Sequence, residues 1–163
     1  MSTFSGLPVH ALLVHFIVVL APLVAILATV CAVWPVARRR LVWLVLGLAL
    51  LVVALTPLTT DAGEWLERQV GPSAQLHQHT ELGDTMIYFA IALLVAAALI
   101  AGIHVRETRG HTVERTASWV VAAVVIVISI ATAVQVYRIG DSGARATWGD
   151  TAAAVSAPTS PHP

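Results

Sequence analysis

Four long apolar segments dominate the pattern of hydrophobic and polar positions, and short polar stretches separate them. The segments cover residues 12–34, 41–58, 86–103 and 117–137. Each is close to the roughly 17–25 residues that a helix needs to cross a bilayer. Val, Ile and Ala fill them, but runs this long without turn signals form helices in lipid, where backbone polar groups need partners within the segment. The pattern predicts an all-α, integral membrane four-helix bundle.

The 59–85 connection carries its own helix signals. Asp61 followed by Glu64 resembles a capping box that opens a helix, and Gly71-Pro72 is typical of a helix end. Ser73 can cap a second helical stretch that runs into the third span. We therefore expect an additional short helix in this connection, packed over the end of the bundle.

The end of the chain differs in composition from the spans. Residues 151–163 are rich in Ala, Pro, Ser and Thr, which is typical of disorder. The predicted organisation is a transmembrane domain over 1–150 and a disordered tail over 151–163.

Composition supports a membrane protein. The chain is 58% hydrophobic and 11% charged, with a mean hydropathy of +0.84, whereas soluble domains are about 45–50% apolar and about 25% charged. The formal net charge is zero, and no basic patch indicates nucleic acid as a partner. Cys31 is the only cysteine, which excludes an internal disulfide and a Cys-based zinc or iron–sulfur site. The predicted partner is the lipid bilayer.

The distribution of Arg predicts the orientation. The two short connections carry Arg38, Arg39, Arg40, Arg106, Arg109 and Arg115, and the other side carries Arg68, Arg138 and Arg145. Because positive residues accumulate on the cytoplasmic side, the short connections are expected inside. Both termini and the 59–85 connection are then outside.

This topology predicts a His/carboxylate cluster at the outer face. Its members are His10, His15, His77, His79, Asp61, Glu64, Glu67, Glu81 and Asp84. His15 lies about 10 Å along its helix, near the edge of the hydrocarbon, where an ionisable group needs a partner inside the bundle. It is either a neutral histidine bonded to a backbone carbonyl or hydroxyl, or a ligand or proton-handling group.

Helical spacing divides the residues around the third span into two faces. His77, Glu81 and Asp84 share one face, which could bind a divalent metal or be a solvated polar surface. His79, Gly83 and Met86 share another face. Gly83 would let a bulky group such as haem approach the helix, but it suits ordinary helix packing as well.

Two further observations limit the chemistry. His10 and His15 are about 140° apart around a helix, so they do not bind one metal together. The sequence contains no nucleophile motif, phosphate loop or HExxH zincin motif. No catalytic residue is predicted.

Three stretches resemble the DUF2231 family of bacterial membrane proteins. The first, Gly6-Leu-Pro-Val-His10-Ala-Leu-Leu-Val-His15-Phe16, is similar to the family's opening Leu-Pro-x-His-x-Leu-x-x-His-Phe. The second is Asp61-Ala-Gly-Glu64 with His79-Thr-Glu81-Leu-Gly-Asp84, and the third is Tyr137-Arg-Ile-Gly140-Asp141-Ser-Gly143-Ala-Arg145 with Trp148. The resemblance covers the chain to about residue 150 and implies the plasma membrane of a bacterium.

The chain departs from the family pattern at two positions. Asp141 stands where relatives often have His, and Ile17 stands where they often have Pro. Some relatives are fused to Rieske-type iron–sulfur domains, which implies redox work in a membrane complex. The resemblance implies His10, His15 and His79 as ligands, with Asp61 and Glu64 as polar support.

Three functions remain open at this point. The chain is an accessory or docking subunit of a membrane complex, a haem b-binding electron-transfer subunit, or an outer-face divalent metal-binding protein. The haem hypothesis places the iron between His15 and His79, with His10 as a further candidate ligand. The metal reading uses His10, His79, Asp61, Glu64 and Glu81. His15 and His79 are predicted to lie close together inside the bundle.

Overall fold

Helices make up almost all of the described chain. The computed structural model describes residues 3–4, 7–70 and 73–156. Its elements are β1 (Thr3–Phe4), β2 (Leu7–Pro8), α1 (Val9–Val33), α2 (Pro35–Val70), α3 (Ala74–Asp84), α4 (Met86–Thr108) and α5 (Arg115–Ser156). The helices α1 and α2, the consecutive pair α3–α4, and α5 are each long and apolar enough to cross a bilayer. The predicted all-α four-helix membrane bundle is confirmed.

A short β-ribbon precedes α1, and the hydrophobic pattern does not predict it. β1 and β2 pair antiparallel, with Thr3 opposite Pro8 and Phe4 opposite Leu7. Each strand has two residues, so the ribbon does not change the fold class.

Small side chains form the contacts at the centre of the bundle. α1 packs against α2 and α5, and α4 packs against the same two helices. Ala21, Ala25 and Ala28 on α1 are buried, as are Ala90 and Ala97 on α4. Lipid tails are as apolar as the helices, so close packing of small residues, rather than the hydrophobic effect, holds helices together in a membrane.

Hydroxyl groups add polar contacts between α1 and α5. The Thr29 hydroxyl donates to Ser129 Oγ at 3.1 Å, and Ser129 donates to the Ala25 carbonyl at 3.0 Å. Large apolar side chains face outwards instead, among them Phe16, Val19, Ile26, Leu50, Val127 and Ile130. This outer surface is the one that contacts lipid.

The 59–85 connection contains the expected short helix, but its first half belongs to α2. α2 continues through Pro57 and Asp61 to Val70, so the helix start predicted at Asp61 is wrong. An Asp three residues before a Glu suits a helix interior as well as a helix start. Ser73 caps α3 as predicted, because Ser73 Oγ accepts from the Leu76 amide at 3.1 Å. The predicted stop at Gly71-Pro72 lies outside the described residues.

A side chain of α5 fixes the break between α3 and α4. Gln135 donates to the Leu82 carbonyl at 3.1 Å and to Thr85 Oγ1 at 2.7 Å. Thr85 in turn donates to the Leu82 carbonyl at 2.7 Å. These bonds satisfy the Leu82 carbonyl at the junction of the two helices. Beyond the junction, α3 packs against α5 and α2.

The bundle has two ends, which we name by their ionisable residues. The His end comprises His10, Thr59, Gly63, His79, Ser142 and Gly143, and the Arg end comprises Cys31, Arg38, His104 and Glu107. The chain reverses at Trp34 and in the α4–α5 loop, where Gly110 has a φ of 76° that favours glycine.

The end of α5 lies beyond the predicted domain boundary. The helix extends past residue 150 to Ser156. Residues 157–163 of the expected disordered tail are outside the described residues.

Candidate functional site at the His end

The ring of His10 is held by a backbone carbonyl of α2. His10 lies in the first turn of α1, and its Nδ1 is 2.9 Å from the Thr59 carbonyl oxygen. A carbonyl oxygen can only accept a hydrogen bond, so Nδ1 carries the proton and donates. In the neutral ring, Nε2 then keeps its lone pair, which is available to a ligand.

His79 is held in the same way by a side chain of α5. Its Nδ1 lies 3.0 Å from Ser142 Oγ, and the Ser142 hydroxyl donates to the Ile139 carbonyl at 2.9 Å. A hydroxyl has one hydrogen, so while Ser142 donates to Ile139 it accepts from His79 Nδ1. The neutral His79 ring therefore also keeps a lone pair on Nε2.

The two imidazoles are neighbours although they come from different helices. Their ring centroids are 6.4 Å apart, and the ring planes are inclined at 81°. Histidines that bind metals commonly donate their second N–H to a carbonyl or another oxygen, which fixes the tautomer and the ring orientation. His10 and His79 both show this arrangement.

Two glycines allow the rings to lie against the helices behind them. A Cβ atom built on Gly63 of α2 would be 2.8 Å from His10 Cε1, and one built on Gly143 of α5 would be 3.0 Å from His79 Cε1. Any larger residue at either position would displace the ring. The absence of a side chain at both positions is therefore part of the site's construction.

The two rings border a small apolar cavity. Its volume is about 50 Å³, and it is lined by His10, Val14, Ile17, Val18, Thr56, Thr59, His79, Gly83, Met86, Val136 and Ile139. One water needs about 10–15 Å³, so the cavity can hold a few waters or one ion. It contains no carboxylate among these lining residues.

An acidic cleft lies between the end of α2 and α3. Its volume is about 460 Å³, and it is lined by Glu64, Glu67, Arg68, His77, Thr80, Glu81 and Asp84. Local contacts use part of this charge, since Glu67 accepts from the Thr80 hydroxyl at 3.0 Å and His77 lies 3.4 Å from Glu81. The cleft has the composition of a solvated surface.

The placement of His15 corrects one expectation. His15 is exposed, so the prediction that it points into the bundle is wrong. The physical reason is helical geometry. His15 lies five residues after His10, about 140° around the helix, and a helix that turns His10 inwards turns His15 towards the outside.

The five residues predicted as metal ligands are not brought together. His10 and His79 border the cavity, Glu64 and Glu81 line the acidic cleft, and Asp61 is exposed. Within residues 3–4, 7–70 and 73–156, no group of three or more His, Cys, Asp or Glu side chains is placed to hold a metal ion.

Sequence reasoning missed the residues that support the histidines. Ser142 and Gly143 stand in the closing stretch of the family resemblance, and Gly63 stands in its middle stretch. The resemblance of these stretches to the family is therefore the sequence feature that could have indicated the three residues. Thr59 contributes a backbone carbonyl, so its side chain carries no signal.

Comparison with known proteins supplies the family. The family model described as "Predicted membrane protein (DUF2231)" matches residues 6–156.

The chain belongs to the DUF2231 family.

No curated protein and no solved structure matches it. In this DUF2231 protein, the three stretches that resemble the family meet at the His end. The opening stretch supplies His10, the middle stretch supplies Gly63 and His79, and the closing stretch supplies Ser142 and Gly143.

Proposed function

We propose that this DUF2231 protein binds one metal ion between His10 and His79 and serves as a non-catalytic accessory subunit of the membrane. The observation that carries the proposal is the pair of imidazoles that are each held through Nδ1 and that border one cavity. In the neutral rings, Nε2 is the nitrogen left to bind a ligand. The glycines behind the rings and the cavity beside them support it.

The separation of the rings suits a single ion. Metal–nitrogen bonds are about 2.0–2.1 Å long and a ring centroid lies about 1 Å behind its nitrogen, so two rings on opposite sides of one ion have centroids about 6 Å apart. The observed separation is 6.4 Å. An ordinary edge-to-face contact of two rings has a similar separation, so metal binding has to be measured.

A haem b at this site is the second candidate. With His15 exposed, its iron would be held by His10 and His79. The cavity of about 50 Å³ is far smaller than the roughly 300–1,000 Å³ of pockets that enclose a cofactor-sized ligand. A haem would require the helices to separate, so the cavity favours a metal ion.

The acidic cleft supports a docking role at the same end. Four carboxylates, from Glu64, Glu67, Glu81 and Asp84, line it beside two basic side chains. Complementary charge speeds and orients the encounter of two proteins. A membrane redox subunit with a cationic surface is the partner that this chemistry fits.

The proposal includes the orientation in a bacterial plasma membrane, with the His end outside. The Arg asymmetry supports it. Single cysteines at Ser73 and Thr112, both exposed, would test it in a Cys31→Ala background with a membrane-impermeant maleimide. Intact cells should label position 73 and not position 112. The reverse pattern would overturn the orientation.

Metal analysis and a visible spectrum test the site. The purified protein should retain about one metal ion per chain after loading and desalting, with no Soret band. His10→Ala and His79→Ala should each abolish retention, whereas His111→Ala, in the exposed α4–α5 loop, should not. If the parent protein shows a Soret band that both site variants lack, the bound species is haem and not a metal ion. Equal retention in all variants would refute the site.

A further inference from the structure

We infer that the ion is monovalent copper, Cu(I), and that the Met86 thioether is its third ligand. This inference rests on the proposed function, because it names the metal that the His10–His79 pair holds. It starts from the sulfur atom that lies beside the two imidazoles.

Met86 lies where a third ligand is needed. It is 3% exposed and lines the same cavity as His10 and His79. His79 lies on α3 and Met86 is the first residue of α4, so the two reach the cavity from either side of the junction at Thr85. The chain contains two methionines, and the other is Met1. Met86 is therefore the only thioether among the cavity residues.

Two imidazoles and a thioether are a donor set for copper. Thioether sulfur is a soft ligand that selects Cu(I), whereas imidazole is shared by Zn, Cu, Fe and Ni. Zn²⁺ almost always takes four ligands in a tetrahedron. Cu(I) is stable with two or three ligands, so His10, His79 and Met86 suffice for it.

Charge also favours a monovalent ion. The lining residues of the cavity include no Asp, Glu or Cys, and histidine binds metals as the neutral imidazole, so these ligands supply no negative charge. A divalent ion would leave two uncompensated charges in apolar surroundings. The cost of burying an ion rises with the square of its charge, so Cu(I) costs far less than Cu²⁺ or Zn²⁺.

The size of the cavity excludes hydrated ions. About 50 Å³ holds one ion or a few waters, but not an ion together with the several waters that Mg²⁺ usually keeps. A bound ion must give up its water to the side chains. Cu(I) does so readily for nitrogen and sulfur donors.

Copper titration and X-ray absorption test the inference on the full-length protein in detergent. A Cys31→Ala background removes the other sulfur of the described chain. Anaerobic Cu(I), in competition with bicinchoninate, should bind at one ion per chain. The copper edge should report two nitrogen neighbours and one sulfur neighbour. In the Met86→Leu variant, the sulfur neighbour should be absent and the Cu(I) affinity should fall at least tenfold. Ile91→Val, at an exposed position of the same helix outside the cavity, should change neither.

The outcomes separate the inference from the proposed function. If Zn²⁺ or another ion binds through His10 and His79 while Met86→Leu has no effect, the copper inference fails and the metal site remains. If binding of every metal survives His10→Ala and His79→Ala, both fail. Thermal unfolding is followed for each variant, and if Met86→Leu does not fold, absence of a sulfur neighbour in the parent protein overturns the inference alone.

Discussion

The two ends of the bundle place polar groups in apolar surroundings by opposite means. At the Arg end, the Arg38 guanidinium is fully engaged, with Nη2 2.6 Å and Nε 3.4 Å from the Glu107 carboxylate and Nη1 3.3 Å from the Cys31 carbonyl. At the His end, His10 and His79 are each held through Nδ1 and border one cavity. The first arrangement is complete in itself, whereas the second suits a ligand.

The comparison shows that a buried ionisable residue is not by itself a binding site. Groups such as Arg, Glu and His are costly inside a membrane and usually find a partner within the protein. His104 makes the point at the Arg end, because its Nδ1 is buried without a hydrogen-bond partner and its ring contacts Trp43 edge to face. At the His end, by contrast, two imidazoles border one cavity.

The largest effect is expected from breaking the pair at the Arg end. Glu107→Ala leaves the Arg38 charge buried, at 4% side-chain exposure, without its carboxylate. Loss of one partner of a buried ion pair costs about 3–5 kcal/mol. The free energy of unfolding in a detergent titration should fall by about that amount, while metal binding by the surviving folded fraction stays unchanged.

The control for this variant is Glu114→Ala, since Glu114 is exposed in the α4–α5 loop. It should cost less than about 0.5 kcal/mol. A cost below about 1 kcal/mol for Glu107→Ala would mean that water screens the Arg38 pair as it screens surface pairs. The contrast between the two ends would then be lost.

The next effect concerns ligand affinity rather than stability. Gly63→Ala and Gly143→Ala would push the rings of His10 and His79, because the new Cβ atoms lie 2.8 Å and 3.0 Å from them. Groups that orient metal ligands contribute about 10- to 100-fold to affinity, and a loss of this size is expected. Ala favours a helix over Gly by about 1 kcal/mol, so the loss should not come with general unfolding.

Matched glycines in the same two helices provide the controls. A Cβ atom on Gly47 of α2 or on Gly140 of α5 would meet nothing within 4 Å. Gly47→Ala and Gly140→Ala should leave metal affinity unchanged in the same titration. Equal losses from all four variants would indicate a general effect of helix stiffening and not a displacement of the rings.

A smaller effect is expected from Ser142→Ala. The variant removes the acceptor of the His79 Nδ1 proton, which leaves that N–H unpaired and the tautomer free to change. Metal affinity should fall about tenfold, and unfolding should become easier by about 1 kcal/mol. Nitrogen chemical shifts of the ring report the tautomer directly. Thr147→Ala, which removes an exposed hydroxyl from the same helix, should alter none of these.

The fold was predictable because membranes impose strict rules. Hydrocarbon leaves no partner for backbone groups outside a helix or a closed barrel, so apolar length alone gave the four spans. The helix start predicted at Asp61 was wrong, because the Asp and Glu of a capping box have the same spacing as two acidic residues inside a helix. The end of α5 at Ser156 was missed because composition describes a tail poorly when it continues a helix.

The site was predictable only in part. His10 and His79 were both among the candidates, but the pairing depends on the rotation of α1 about its axis. The expected cost of burying His15 placed this side chain inside the bundle, whereas it is exposed. Thr59 acts through its backbone and Gly63 through the absence of a side chain. Neither contribution can be read from residue chemistry.

The smallest effect is expected from an ion pair at the other extreme of exposure. Arg145 lies 3.0 Å from Asp141, with side-chain exposures of 71% and 43%. Ser142, which follows Asp141 in the chain, bonds His79. Arg145→Ala therefore tests whether the charge beside the site affects metal affinity. An exposed pair four residues apart on a helix contributes about 0.3–0.5 kcal/mol, and metal affinity should stay unchanged because Asp141 does not line the cavity. A cost as large as that of Glu107→Ala would show that burial is not what makes the Arg38 pair strong. A loss of metal affinity would instead extend the site to Asp141.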